Sequence, residues 1–245
     1  MTDTRWRSIT TWGAPPAFNM GLDEALLLDP EAPPTLRFYS WSPDTLSLGY
    51  FQRFAEVPGT DRAGAVVRRI TGGGAIHHVG ELTFSLSASL DHPLYQGHVG
   101  EGYPRVHAAL AAALEHFGVP ARRRGREASL DSEQDGTGMC FHHSSCEDLV
   151  WDNRKGVGSA QRRKDGRVLH HGSIKLQDSP LETGVATVSA SAGSVDPAAL
   201  AAAIRDALAE AHGLEFETAV PTPTERERAR TLGTRYLAPE FVRRR

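Results

Sequence analysis

Arg68–Ser89 reads RRITGGGAIHHVGELTFSLSAS, and it places a strand end, a glycine turn and a second strand in immediate succession. AVVRRI (65–70) is rich in β-branched residues and reads as a strand. Three successive glycines, Gly72, Gly73 and Gly74, then let the backbone turn sharply and approach a ligand closely, where a Cβ would stand in the way. ELTFSLSAS (81–89) alternates Leu82, Phe84 and Leu86 with Thr83, Ser85 and Ser87, the period of a half-buried strand. The glycine spacing matches neither a dinucleotide fingerprint nor a phosphate-binding loop, so nucleotide motifs of those kinds are excluded.

Outward from this stretch, strands and helices mix. NMGLDEALLL from Asn19 carries Met20, Leu22, Leu26 and Leu27 at helical spacing, with Asp23 and Glu24 in the first turns. TLRFYSW (35–41) and TLSLGYF (45–51) read as strands joined by a tight turn at SPD. YPRVHAALAAALEHFG (103–118) is an alanine-rich helix that stops at Gly118. Arg122 to Gly138 is polar and glycine-rich, a long loop with at most one strand. EDLVWD, RKGVGSAQRR and RVLHHGSIKL predict two or three strands, with a hairpin between Gln161 and Val168. A helix is expected over 196–213, and another over 223–237 that opens with proline and acidic residues. The order fits an α/β or α+β domain and shows no internal repeat.

The 245 residues are enough for one large core, and a single domain over 1–245 is expected. Lys and Arg total 27 against 30 Asp and Glu, so no global field is available to hold nucleic acid. The short basic runs at Arg122–Arg126 and 243–245 read as a solvated loop and terminus. No apolar run has the length of a signal peptide or membrane helix, so a cytoplasmic protein without membrane contact is expected.

Both cysteines lie in GTGMCFHHSSCEDLVWD, Gly136–Asp152. Cys140, His142, His143 and Cys146 offer four potential zinc ligands, but C-x-H-H-x-x-C is cramped and no second cysteine pair supports it; no metal is expected. The spacing is also wrong for a C-x-x-C redox pair. A nucleophilic thiolate and a buried thiol acting as a small hydrophobe both remain open on the residues alone. Lys155 precedes Gly156, Gly158, Ser159 and Ala160, a floor with almost no side-chain bulk on which a substrate could lie.

Together, NMGLDEALL, LRFYSWSPDTLSLGYFQ, RRITGGGAIHHVGELTFS, CF, RKGVGSAQRR and HHGSIKL resemble, in order and spacing, the lipoate-protein ligase and octanoyltransferase superfamily, whose catalytic domain biotin protein ligases share. The resemblance runs from about Asn19 to Tyr236. It implies an α+β fold, a mixed β-sheet flanked by helices with a second smaller sheet over an acyl-binding tunnel. It is closest to the cysteine-dependent octanoyltransferases of the Bacillus type, because Cys140–Phe141 precedes the lysine strand and no large accessory domain is expected after it. It implies octanoyl transfer from octanoyl-acyl carrier protein to a lysine of a lipoyl-domain protein, such as the glycine cleavage H protein, through a cysteine thioester and without a cofactor. Cys140 would be the nucleophile. Lys155 would stabilise the thiolate and the oxyanion, and help to take the proton from the incoming amine. Arg69, Gly72, Gly73, Gly74, His78, Gly158, Ser159, Ala160, His171 and Gly172 would bind substrate. His77, His142, His143 and His170 have no such support.

Two positions depart from the pattern. Gly74 stands where the transferases usually carry arginine, a ligase-like feature that keeps an ATP-dependent lipoate ligase in view. Cys146 falls where an aromatic residue is usual. The same motifs are also compatible with a lipoyl-domain amidotransferase and with a non-catalytic domain that only binds lipoyl carriers.

Overall fold

The computed structural model describes residues 4–126 and 129–244. In chain order the elements are β1 (Arg5–Ala14), α1 (Pro16–Leu28), β2 (Thr35–Trp41), β3 (Thr45–Leu48), β4 (Ala65–Arg68), β5 (Ile76–His78) and β6 (Glu81–Ser89). They continue with α2 (Gly102–His116), β7 (Arg122–Arg123), β8 (Leu149–Trp151), β9 (Arg154–Lys164) and β10 (Arg167–Lys175). The rest are α3 (Val188–Ala192), α4 (Pro197–His212), β11 (Glu215–Ala219), α5 (Pro223–Gly233) and α6 (Pro239–Val242). Among the described residues eight strands form one mixed sheet in the order β11-β1-β2-β6-β10-β9-β8-β7, and three form a small sheet in the order β4-β3-β5. The fold is α+β, as the resemblance implied.

The apolar side of β6 carries Leu82, Phe84 and Leu86 into a core that Val106, Leu110 and Leu114 of α2 and Leu200, Ile204 and Leu208 of α4 complete. Each such side chain taken from water contributes roughly 1.5–3 kcal/mol. The alternation in β6 predicted a solvated polar side, and here the structure corrects the sequence. Thr83, Ser85 and Ser87 are buried too. Ser85 donates to Asp23 of α1 at 2.7 Å and Trp41 donates to Thr83 at 2.8 Å. The polar side of the sheet is roofed, and the roof makes the site.

A second correction concerns the SPD turn. β2 and β3 do not form a hairpin: β2 pairs with β1 and β6 in the large sheet, whereas β3 pairs with β4 and β5 in the small one. The chain crosses between sheets there because Thr45 to Leu48 is buried along its whole length and needs partners on both edges. β3 also ends at Leu48, short of the expected Phe51.

The predicted hairpin is present. Asp165 and Gly166 join β9 to β10 with φ of 48° and 75°, the left-handed pair that suits a two-residue turn between twisted strands. Its register sets His171 opposite Ala160 on one side and Ser85 on the other. Of the glycine-rich stretch 122–138, Glu127 and Ala128 lie outside the described residues. The basic runs are engaged by their surroundings: Arg123 pairs with Glu147, and Arg124 with Glu133. Arg243 lies over the ring of Phe54 and Arg244 over Tyr50, while Arg245 is outside the described residues.

Candidate active site

Between the two sheets lies a narrow cavity. Gly158, Ser159 and Ala160 of β9 and His171, Gly172 and Ser173 of β10 form its floor. Ser47, Arg69, Gly72, Gly73, Ile76 and His78 come from the small sheet and its glycine turn, and Met20, Tyr39 and Trp41 close the far side. Cys140 stands on its wall. The free space is about 50 Å³, against roughly 10–15 Å³ for one water on the same kind of measure.

Cys140 opens a short 3-10 turn, Cys140–His142, that runs alongside the glycine turn. Its N–H donates to Ala75 O at 2.7 Å, and Ala75 N–H donates to Gly138 O at 2.8 Å. Gly74 is therefore not part of the cavity wall; it lies behind the cysteine. A Cβ there would come within 2.7 Å of Cys140 N and 2.9 Å of its Cα. Glycine at this position follows from close packing of two backbones, and an arginine could not be accommodated without moving the cysteine. Gly74→Ala is expected to lose about 1–3 kcal/mol of stability, the usual range for overpacking, and to slow modification of Cys140 by a thiol reagent; thermal denaturation and labelling kinetics check both.

Lys155 is 3% exposed and reaches the same turn from β9. Its Nζ is 3.6 Å from Cys140 Sγ, and it donates to Cys140 O at 3.0 Å and His143 O at 2.9 Å. Asp148, buried at the end of the cysteine loop, pairs with it at 2.9 Å. Burial pushes the ammonium's pKa down, but the negative charges of Cys140 and Asp148 outweigh that and leave it raised. Its position makes Lys155 a cation and hydrogen-bond donor to the cysteine turn. Gly158 makes room for it, since a Cβ there would sit 2.9 Å from Lys155 Cε and 3.5 Å from Cys140 Sγ.

Arg69 is buried and donates to Gly72 O at 2.8 Å and Gly74 O at 2.7 Å, so it holds the glycine turn by its carbonyls. Among the described residues the N–H groups of Gly72 and Gly73 meet no backbone acceptor, and they stay available as donors. His78 and His171 are both on the cavity wall. His171 contacts Thr71 Oγ1 at 2.7 Å and Asp23 at 3.3 Å, and Asp23 is also paired with Arg37. His78 contacts Ser47 Oγ at 2.7 Å and Glu81 at 2.5 Å.

Glu81 also meets Lys175 at 3.2 Å and accepts from Ser173. Burial raises its pKa, yet the neighbouring His78 and the Lys175 ammonium, with the hydrogen bonds from His78 and Ser173, bring it down to about 2, from an ordinary 4.5. A carboxylate depressed on folding contributes stability above its unfolded pKa and loses it as pH falls through the folded one. The wild type should therefore lose about 3 kcal/mol between pH 5 and pH 2 from this group. Denaturant titrations across that window should show a shallower acid slope in Glu81→Gln.

Cys146 is exposed, with Glu147 as its contact at 3.4 Å. His142 spends its two nitrogens on Thr137 and Thr183, and His77 contacts Asp44. His170 and His107 share Ser159 Oγ, at 2.9 and 2.7 Å, beneath the floor. Among the described residues no three His, Cys, Asp or Glu side chains converge as a metal site, and no helix is long and apolar enough to cross a membrane.

A family model described as the lipoyl protein ligase A/B catalytic domain matches residues 15–191. The chain belongs to that family. It is 44% identical over 183 residues to the octanoyltransferase LipM of Moorella thermoacetica, a match that covers 70% of this chain and 65% of the relative, just under two thirds of its length. The octanoyltransferase LipM of Kyrpidia tusciae is 33% identical over 96% of this chain and 97% of its own. Among solved structures, Ta0514 of T. acidophilum with bound lipoic acid superposes with a TM-score of 0.77 at 23% identity, covering 99% of this chain and all of that one. That likeness shows the fold. Within the family frame Asp148 and Ser47 are the residues that reading by motif missed. A buried lysine requires a carboxylate, which was the one available signal for Asp148; Ser47 carries no local signal.

Proposed function

We propose that this chain, working as one catalytic domain over 1–245 and without a cofactor, transfers an octanoyl group from acyl carrier protein to a lysine of a lipoyl domain. The glycine cleavage H protein is an acceptor of that kind, and the reaction would run in the cytoplasm. The reading rests on one observation: the Cys140 thiol stands on a narrow cavity wall with a buried ammonium 3.6 Å away. The octanoyltransferase relatives support it.

In the first half-reaction Cys140 Sγ attacks the carbonyl carbon of the octanoyl thioester. The C–S bond to the carrier breaks, its thiolate leaves and takes up from solvent the equivalent of the proton the Cys140 thiol released on ionising, and an octanoyl-enzyme thioester remains. Splitting one displacement into two is the use of a covalent nucleophile. Lys155 would stabilise the attacking thiolate and the same thiolate as leaving group. The N–H groups of Gly72 and Gly73 would face the oxyanion, where a preorganised donor contributes most. Each methylene of the chain removed from water would add about 0.8 kcal/mol to binding. In the second half-reaction the acceptor amine attacks the thioester and the amide forms.

The test is the intact mass of the enzyme after mixing with octanoyl-acyl carrier protein, without ATP, magnesium or acceptor. An adduct labile to hydroxylamine, present in wild type and Cys146→Ala and absent in Cys140→Ala, is expected. The ATP-dependent ligase, which Gly74 kept in view on sequence, is the reading this test sets against it. That reading prevails when wild type forms no adduct and the acceptor is modified only with free octanoate and ATP.

A further inference from the structure

We propose that Ser47, His78 and Glu81 form the proton relay of the second half-reaction, with His78 as the base for the attacking amine; the proposal rests on the acyl-transfer reading above. A lysine nitrogen that becomes an amide must give up a proton as it attacks. Lys155 is paired with the buried Asp148 at 2.9 Å and donates to His143 O, so in the octanoyl-enzyme it stays a paired cation and donor. Arg69 is likewise a cation, donating to the carbonyls of Ser47, Gly72 and Gly74 and, at 3.4 Å, to Ser47 Oγ. Two imidazoles remain on the cavity wall. His171 has a comparable set, with Thr71 on one nitrogen and Asp23 on the other, but Thr71, unlike Ser47, does not line the cavity, so that hydroxyl cannot meet the amine there.

His78 is differently placed. β3 and β5 pair so that Ser47 faces Ile76, and His78, two residues on, is its diagonal neighbour on the same side of the sheet. Ser47 Oγ lies 2.7 Å from Nε2, and Glu81 Oε1 lies 2.5 Å from Nδ1. An ionised Glu81 fixes the proton on Nδ1 and leaves Nε2 with a free pair, which accepts the Ser47 hydroxyl proton. The same serine, imidazole and carboxylate logic polarises a hydroxyl in hydrolases. Trp41 stacks on the ring at 4.1 Å and 19°, so the imidazole cannot turn away. Burial, helped by Lys175 and Arg69, lowers its pKa against the pull of Glu81, which keeps it neutral and ready to accept.

Ser47 and His78 both belong to the wall that carries Cys140. His78 and Trp41 also border a separate groove of about 250 Å³ on their other side, with Asp44, Gly80 and Glu81. The imidazole is thus the partition between the reaction cavity and a route by which a proton can leave. The step balances. The neutral acceptor amine forms its C–N bond to the octanoyl carbonyl and passes a proton to Ser47 Oγ. Ser47 passes its own to His78 Nε2, and the C–S bond breaks to return the Cys140 thiolate to Lys155. The imidazolium, held by Glu81, then releases its proton towards the groove.

The test uses octanoyl-enzyme isolated from wild type, His78→Gln, Ser47→Ala and Glu81→Gln. Each is mixed at pH 7 with an acceptor lipoyl domain or with hydroxylamine, which is neutral at that pH and a strong nucleophile without a base. In His78→Gln, transfer to lysine should fall about 100-fold or more relative to transfer to hydroxylamine, the range for a lost general base. Ser47→Ala and Glu81→Gln should shift the same ratio in the same direction by about 10-fold or more, a change that a loss of packing alone does not produce. An unchanged ratio in His78→Gln overturns the relay and leaves the transfer reading intact. Failure of His78→Gln to form the octanoyl-enzyme also overturns it, since His78 would then serve the first half-reaction. Failure of wild type to form it overturns both.

Discussion

Lys155→Met should abolish most of the rate of Cys140 acylation, by about 10²–10³-fold, and destabilise the fold by about 3–5 kcal/mol. The two effects have one origin. The ammonium is buried between the Cys140 sulfur and the Asp148 carboxylate, with both ion-pair side chains at 6% exposure or less. Methionine keeps the length and apolar stem of the side chain but strands a buried carboxylate, which is why the loss exceeds that for a surface pair. pH separates this from simple packing damage. The lysine pKa is raised on folding, so its contribution is complete below the unfolded value near 10.5 and is lost only as pH rises through the folded one. The stability difference between wild type and Lys155→Met should be flat from pH 7 to about 10 and shrink above it. Denaturant titrations and the intact-mass time course measure the two halves; a variant with normal stability and normal acylation would remove Lys155 from the site.

Lys175→Met should be as damaging to the fold, by about 3–5 kcal/mol, although the residue does not touch the cavity. It is fully buried, 2.7 Å from Glu182, 3.2 Å from Glu81 and 2.7 Å from His77 O. Removing its charge leaves two buried carboxylates facing each other with hydrogen-bond donors but no lysine cation between them. Glu182 in turn accepts from His77 N–H at 3.0 Å and Phe141 N–H at 3.5 Å, so it ties β5 to the turn that presents Cys140. Acylation should therefore slow together with the loss of stability. The pair Lys175→Met with Glu182→Gln should recover part of the stability, because one buried charge is then removed with its partner. A double variant no more stable than the single one would show that the ion pair is not the origin of the loss.

Much of the chemistry was legible locally. The cysteine, the lysine and the small residues that clear space for them lie in short motifs, and Cys140, Arg69, Gly72, Gly73, His78, Gly158, Ser159, Ala160, His171 and Gly172 all line one cavity. Lys155 reaches the same sulfur from behind Gly158. Gly74 was legible as a glycine but not for its purpose. Its neighbour is the backbone of Cys140, far along the chain, and no pattern around residue 74 announces that contact. The unread strands have a similar cause: β1, β5 and β11 are short or irregular in hydrophobic period and are strands because other strands pair with them.

By itself the amino-acid order determined what short-range physics controls. The helical spacing of α1, α2 and α4, the Asp-Gly turn between β9 and β10, and the residue types able to form and hold a thioester all act within a few positions. Tertiary structure alone decided that β2 and β3 part into different sheets, and that the polar side of β6 is roofed rather than wet. It also decided which carboxylate each buried cation meets. Asp148 meets Lys155 only because β8 folds back on β9, Glu81 and Glu182 meet Lys175 across the fold, and the Ser47 hydroxyl meets His78 in the same way. Desolvation makes such partnerships necessary, and chain topology chooses among the candidates.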